Sequence, residues 1–252
     1  MFQRLCLLLI VLVVAAAAPA TTVLVQDDFN DDSIDSSKWS TNTDALSNNI
    51  AGAAVVEETG GSIHFVNRGH LNTANSYDPV ALGGLIITGT WTFQDSDDFM
   101  QILTRSSGVP GGSFGETTIG IEARANANDD AISFNGRGGF GITTTSRTGT
   151  FSAAAGDVFD FVFIDTGSEL SFKVTNVNTL AVAKITGIVT STVASANLVT
   201  FHNREGGTSG GVVNHDRDSL LDNVTITAIP APAALPAGLM LLGGLLMRRR
   251  QK

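Results

Sequence analysis

A thiol is what this chain of 252 residues most nearly lacks: Cys6 is its only cysteine, and it lies near the start, inside an apolar stretch and without a lipobox around it. Once that stretch is removed, disulfides, cysteine-ligated zinc and a cysteine nucleophile are excluded together. Basic residues are scarce too. Setting aside Arg4, Arg248, Arg249, Arg250 and Lys252 near the two ends, the 15 Lys and Arg fall to 10 against 24 Asp and Glu, so residues 21–229 carry a net charge of −14. Phosphate contacts need clustered Lys and Arg, so this balance excludes binding nucleic acid or an anionic lipid surface through the body of the chain. Helical periodicity and repeats of fixed period are absent from the same region, which removes bundles, solenoids and propellers.

What is present begins with two terminal signals. Arg4, the apolar run Leu5 to Ala17 and the small-x-small site Ala18-Pro19-Ala20 read as a secretory signal peptide over residues 1–20, cut between Ala20 and Thr21. At the other end, Pro230 to Met247 carries no charge and is closed by Arg248-Arg249-Arg250. Its apolar part is shorter than the roughly 20 residues that span a bilayer comfortably. A short apolar helix ended by arginines reads as a tail signal, with the arginines cytoplasmic and everything before Pro230 outside. Residues 230–252 are therefore a sorting segment and 21–229 a single ectodomain.

The ectodomain reads as nearly all strand. Ile119, Ile121 and Ala123 share one face of Glu116 to Ala125, with Glu122 and Arg124 on the other, the period-two signature of a half-buried strand. Glu169 to Thr175 alternates as cleanly. Asp157 to Asp165 puts Phe159, Phe161 and Phe163 on one face and Val162 and Ile164 on the other, which predicts a central strand covered on both sides. Further strands are expected at Ala53–Glu58, Ser62–Asn67, Leu85–Gln94, Asp98–Arg105, Asp130–Asn135, Leu180–Ile188, Asn197–His202 and Leu220–Ala228, separated by Gly, Asn, Asp and Ser turns. Two Gly/Ser-rich runs, 106–113 and 206–211, read as loops. The expected fold is all-β, a single antiparallel β-sandwich flanked by a signal peptide and an apolar C-terminal helix.

Two resemblances sharpen this reading. Pro230, Pro232 and Ala233, followed by the Leu/Gly/Ala/Met helix and Arg248, Arg249 and Arg250, resemble the PEP-CTERM class of bacterial sorting signals in its VPLPA-type variant; Ala231 stands where the main class has Glu. That resemblance implies recognition by a membrane exosortase in a Gram-negative, exopolysaccharide-producing bacterium. It also implies an inner-membrane intermediate held by the C-terminal helix, cleavage near Pro230 and delivery to the cell surface or extracellular matrix. The opening Asp27 to Trp39, the closing Leu221 to Ile226 and the hairpin Phe159 to Val174 resemble concanavalin A-like, laminin-G-like and glucanase-type jelly rolls.

Candidate chemistry comes from both. A laminarinase-type resemblance would bring a Glu-x-Asp-x-Glu strand with two carboxylates flanking the scissile bond, and no such run occurs. The pairs Glu57-Glu58, Asp97-Asp98 and Asp129-Asp130 are adjacent, so on a strand they point to opposite faces. His64 reads as a sheet residue. His202 and His215-Asp216 lie near Gly-rich loops with Ser209 and Ser219 nearby, so a Ser-His-Asp set stays open beside the reading of all of them as polar loop residues. The chain is thus expected not to be an enzyme, with a hydrolase or lyase of unrecognised site, or an adhesin, as the alternatives. Asp28, Asn30 and Asp32 repeat like oxygen ligands, yet Ser33 and Trp39 stand where an EF-hand needs Gly and Glu. The jelly-roll resemblance implies instead a structural calcium ion held by Asp28 and Asp222, the latter directed to the core side by its parity with Val224 and Ile226. For carbohydrate, here an exopolysaccharide, Tyr77, Phe114 and Phe140 are the loop aromatics expected to be exposed, with Asn135, Arg137 and Asn203 as polar partners and both tryptophans in the core.

Overall fold

A computed structural model describes residues 21–43, 54–66, 69–94, 98–111, 116–117, 119–127, 129–138, 140, 142–144, 148–190, 196–203 and 218–229. The signal peptide, Phe114, His215, Asp216, Ser209 and the whole sorting segment lie outside these residues. Among the described residues no helix is long and apolar enough to cross a membrane.

The strands are β1 (Thr22–Asp27), β2 (Trp39–Asn42), β3 (Val55–Thr59), β4 (Ser62–Val66), β5 (His70–Thr73), β6 (Leu85–Phe93), β7 (Phe99–Ser106), β8 (Pro110–Gly111), β9 (Glu116–Thr117), β10 (Gly120–Asn126), β11 (Ala131–Arg137), β12 (Thr143–Thr144), β13 (Thr148–Gly149), β14 (Val158–Asp165), β15 (Glu169–Asn176), β16 (Val182–Val189), β17 (Leu198–Asn203) and β18 (Asp218–Ala228). They form two large sheets. One has nine strands in the order β13-β16-β15-β14-β6-β18-β4-β3, with β1 added on β18; the other has seven, β12-β11-β10-β7-β17-β5-β2. The strand partners within the two sheets are antiparallel. Such a sheet needs one apolar face to bury, and here the two inner faces meet.

Alternation explains the core. Leu85, Ile87, Trp91 and Phe93 of β6, Phe159, Phe161 and Phe163 of β14, and Leu170, Phe172 and Val174 of β15 point inward from the first sheet. Leu71, Met100, Ile102, Ile121, Ala123, Ala125, Ile132, Phe134 and Phe201 answer from the second. Aromatic rings run through this layer in offset and edge contacts: Phe29 on Trp39, Trp39 on Phe201, Phe201 on Phe161, Phe163 on Phe134. Both tryptophans are in the core, as the sequence implies.

Three local expectations are corrected. The outer side chains of β14 are not covered: Asp160 is exposed and Val162 and Ile164 are half-buried, so the strand is central in its sheet but buried on one face only. The strand expected from Glu116 is divided: Glu116–Thr117 pairs as β9 with β8, β10 begins at Gly120, and pairing with β7 runs from Ile121. Leu180 lies outside β16, in a turn closed by its own N–H to Asn176 O at 2.9 Å, with φ +59°.

A buried ion pair clasps the sheets at one end. Arg105, at the end of β7, places Nη2 2.7 Å from Asp165 Oδ1 and 2.8 Å from Gly167 O, while Thr104 Oγ1 donates to Asp165 Oδ2 at 2.8 Å. Both charged side chains are nine-tenths buried or more, so the carboxylate needs all of these donors.

Candidate functional site

In the seven-stranded sheet, the face turned away from the core is almost entirely polar. Register places Asn42, His70, His202, Gln101, Arg124 and Ser133 in one row across β2, β5, β17, β7, β10 and β11. A second row runs through Asn72, Thr200, Leu103, Glu122 and Asn135. Strand pairing therefore assembles, from segments far apart in sequence, a surface that no local motif announces.

A connected hydrogen-bond path lies along it. The rings of His70 and His202 stack with centroids 4.0 Å apart and planes 1° from parallel. His202 Nδ1 lies 2.6 Å from Gln101 Oε1, and Gln101 Nε2 donates to Glu122 Oε1 at 2.9 Å. Because a carboxylate can only accept, the amide NH2 must face Glu122 and its oxygen His202, which assigns the His202 proton to Nδ1. Asn135 Nδ2 and Arg137 Nη2 also reach Glu122, at 3.5 and 3.4 Å. Arg124 Nε comes to 3.8 Å, with its guanidinium over the Phe99 ring at 5.6 Å. Beside the path, Thr200 Oγ1 lies 2.7 Å from both Asn72 Oδ1 and Ser106 Oγ.

Burial grades across the face. His70, His202, Gln101 and Glu122 are buried, whereas the Arg124 and Arg137 side chains are 20% and 27% exposed. Burial pushes the His70 imidazole down to about 3, against a weaker opposing pull from the Asn42 backbone. Neither of its ring nitrogens makes a hydrogen bond of good geometry, so His70 is neutral at ordinary pH.

The expected ligand residues divide. Asn135 and Arg137 do come together, on Glu122. Phe140 is not an exposed platform: it is buried, packed against Gly136, with the Arg105 guanidinium 5.9 Å from its ring centroid. Asn203 ends β17, is buried, and its Oδ1 accepts the Phe99 N–H at 3.4 Å, away from Asn135 and Arg137. Tyr77 is half-buried, its ring packed on the core and its N–H held by Asn197 O at 2.6 Å. Sequence reading missed His70, Asn72, Gln101 and Thr200 as site residues; for Gln101 and Thr200 the signal that could have found them is the polar half of otherwise apolar strands, which the mostly polar β5 does not offer. His64 is the sheet residue expected, bridging Glu57 at 3.6 Å and Asp218 at 3.3 Å. His202 and Ser219 belong to different sheets, so the described residues do not bring them into one catalytic set.

The second polar region is a cleft of about 360 Å³ beside the β1–β18 pair, lined by Gln26, Asp27, Asp28, Lys38, Asn223 and Thr225. The parity expectation for Asp222 fails here. A bulge between Asp222 and Thr225, with Asn223 at φ +52°, lets Leu221 and Val224 both face the core and turns Asp222 to the other side. Burial, and then the like charge of Asp28, hold the Asp222 carboxyl above the usual range, although its bond from Asn223 N–H pulls it down. As a calcium site the donor set is thin. Asp222 already accepts from Asn223 N and Nδ2 at 2.6 and 2.7 Å, Asp28 from Asn30 Nδ2 at 2.8 Å, and Asp32 from Gly60 N at 3.0 Å. Among the described residues no three His, Cys, Asp or Glu side chains group as a metal site, whereas calcium takes six to eight oxygens. The charge of Asp28 reaches Asp222, and carboxylate oxygens of both accept hydrogen bonds from the chain itself.

No protein-family model and no curated protein matches the sequence. Solved structures do match the fold. An endo-1,3-β-glucanase from Streptomyces sioyaensis aligns with TM-score 0.53 at 12% identity, over 85% of this chain and all of that one. A non-specific endo-β-1,3(4)-glucanase of family GH16, crystallised with a 1,3-β-D-cellobiosyl-glucose at its active site, aligns with TM-score 0.56 at 16% identity, over 84% and 96%. Arcelin-5, a lectin-like defence protein of Phaseolus vulgaris, aligns with TM-score 0.52 at 10% identity, over 83% and 98%. Hydrolases and lectins thus share this architecture, and what they have in common with the chain is the concanavalin A-like β-sandwich.

Proposed function

We propose that this is a non-catalytic, exported surface or matrix protein that binds polysaccharide on the outer face of its seven-stranded sheet. The observation that carries the reading is Glu122. Alternate outward positions of β10 hold Glu122, Arg124 and Asn126, the spacing at which a laminarinase-type strand would carry carboxylates, and only the first is one. Retaining hydrolysis needs two carboxyl groups about 5–5.5 Å apart, one of them protonated. Glu122 sits instead among Gln101, Asn135, Arg124 and Arg137, with no second carboxyl group beside it among the described residues. The half-buried Asn135 amide and the Arg124 guanidinium are groups of the kind that read sugar hydroxyls, and lectin-like proteins and glucanases of the same architecture lend the ligand class its support.

Export by the signal peptide, sorting through Pro230, Pro232, Ala233 and the Arg248 to Arg250 cluster by an exosortase, and release from the inner membrane belong to the same proposal. It is tested by retention on insoluble polysaccharides and glycan arrays, with sugar release measured in parallel. Binding without release, weakened at least tenfold in Asn135→Ala, is expected; release of reducing sugar that is lost in Glu122→Gln would replace this reading with a hydrolase. Mass spectrometry of the native protein should find a terminus near Pro230, and an intact Arg250 would overturn the sorting step.

A further inference from the structure

Resting on the membrane-held intermediate of that reading, we infer that the end of the sandwich from which the chain leaves after Ala228 is a foot, which rests on a lipid surface while the C-terminal segment is inserted. Register defines that end: Ile188, Leu170, Asp165, Leu85, Ala228 and Thr22 stand level across β16, β15, β14, β6, β18 and β1. Beside this row Val189 is 81% exposed and Val23 54%. Val80, also 54% exposed, lies against the β14–β15 turn, its Cγ2 3.1 Å from the position a Cβ would take on Gly167. Half-buried Ile229 sits among them, its N–H donating to Gly84 O at 2.8 Å. One exposed valine needs no explanation, but three around the exit do, because of the sequence that follows. No polar side chain occurs in the 19 residues from Ile229 to Met247, and three arginines come next. With those arginines at the far surface, 19 residues rise about 29 Å as a helix, against a hydrocarbon core of about 30 Å. Crossing consumes the whole run and leaves no hydrophilic spacer. Extending the proline-bearing residues 230–236 lifts the exit by only about 12 Å. The tether thus brings the rim to the headgroup layer, and valines are what the rim presents there. Charge selects the kind of lipid. Glu169, paired with Val189, and Asp78, whose carboxylate accepts the Val80 N–H, are acids, so with a net charge of −14 the foot suits a zwitterionic surface and not an anionic one.

The molecule carries its own reference for the test. Val177, Leu180 and Val182 are exposed as well, but they lie around the β15–β16 turn at the opposite end, about 20 Å away along β15. The full chain, with its C-terminal run intact, is placed in phosphatidylcholine nanodiscs and compared with the same preparation after proteolytic release of the sandwich. Hydrogen exchange of the unaltered protein should be slower in the disc by about threefold or more over residues 78–82 and 166–169, and unchanged over 176–182. A fluorophore on Val80→Cys or Val189→Cys should be quenched by headgroup spin labels about fivefold more than one on Val177→Cys. Equal quenching at the two ends, or equal exchange before and after release, overturns the foot and leaves the membrane-held intermediate standing; a full chain that does not enter the disc overturns both. Protection of residues 78–82 and 166–169 in concentrated released protein, without lipid, assigns the rim to a second copy and overturns the lipid partner. Because exchange is read on the unaltered protein, a variant that fails to fold does not protect the inference.

Discussion

His70 shows what a single residue contributes when its surroundings refuse it a charge. Its imidazole is held near pKa 3 by burial, below the roughly 6.5 of an unfolded chain, so the unfolded state binds the proton first. Stability is therefore full above about pH 6.5 and is lost as pH falls through the interval toward 3. His70→Phe keeps a ring against His202 and removes the titration; its acid-unfolding midpoint should move to lower pH, as followed by circular dichroism, and an unmoved midpoint would show that His70 does not limit acid stability. Arg105 is the opposite case, a buried charge that is fully partnered. Arg105→Ala strands Asp165 between the sheets and should cost about 3–5 kcal/mol in urea unfolding. These two residues were illegible in the sequence for one reason: His70 and Arg105 draw their character from strands far away along the chain, and nothing beside them records the partner.

Among the elements, β18 is the one whose irregularity matters. Its bulge at Asp222 shares space with Gly89 of β6, where a Cβ would lie 2.7 Å from Phe161 Cζ and 3.2 Å from Asp222 O. Gly89→Ala should destabilise by about 1–3 kcal/mol through that overpacking, measured by thermal or urea unfolding. The pH behaviour of the bulge has a defined sign. Asp222 is raised by burial and by Asp28, so the native state holds its proton more tightly and stability declines as pH rises from about 4 through the folded value. Asp222→Asn should melt higher than the parent at pH 7, with the advantage fading below about pH 4. Regular elements were the legible ones. Period-two runs such as Glu169 to Thr175 and Leu85 to Gln94 announced β15 and β6 because one apolar face must alternate with a wetter one. By contrast β5, whose residues are His70, Leu71, Asn72 and Thr73, is wholly buried yet mostly polar, and a bulge defeats parity by its nature, which is why β5 and the aim of Asp222 escaped.

Seen whole, the molecule divides its labour between sheets. The nine-stranded sheet carries both ends of the described chain, Thr22 lying opposite Ala228 on β1 and β18. The seven-stranded sheet carries the polar face. That division has a mechanical meaning under the proposed function, in which the chain is attached past Ala228 and its other sheet holds a polymer. Load then enters lengthwise along β18, which must slide past β6 across eight paired positions, and past β4 and β1, before it yields. Force pulling Thr22 away from Ala228 instead opens the β1–β18 ladder one pair at a time. The same sandwich is a stiff coupling when pulled from the seven-stranded sheet against Ala228 and a tear strip when pulled between Thr22 and Ala228.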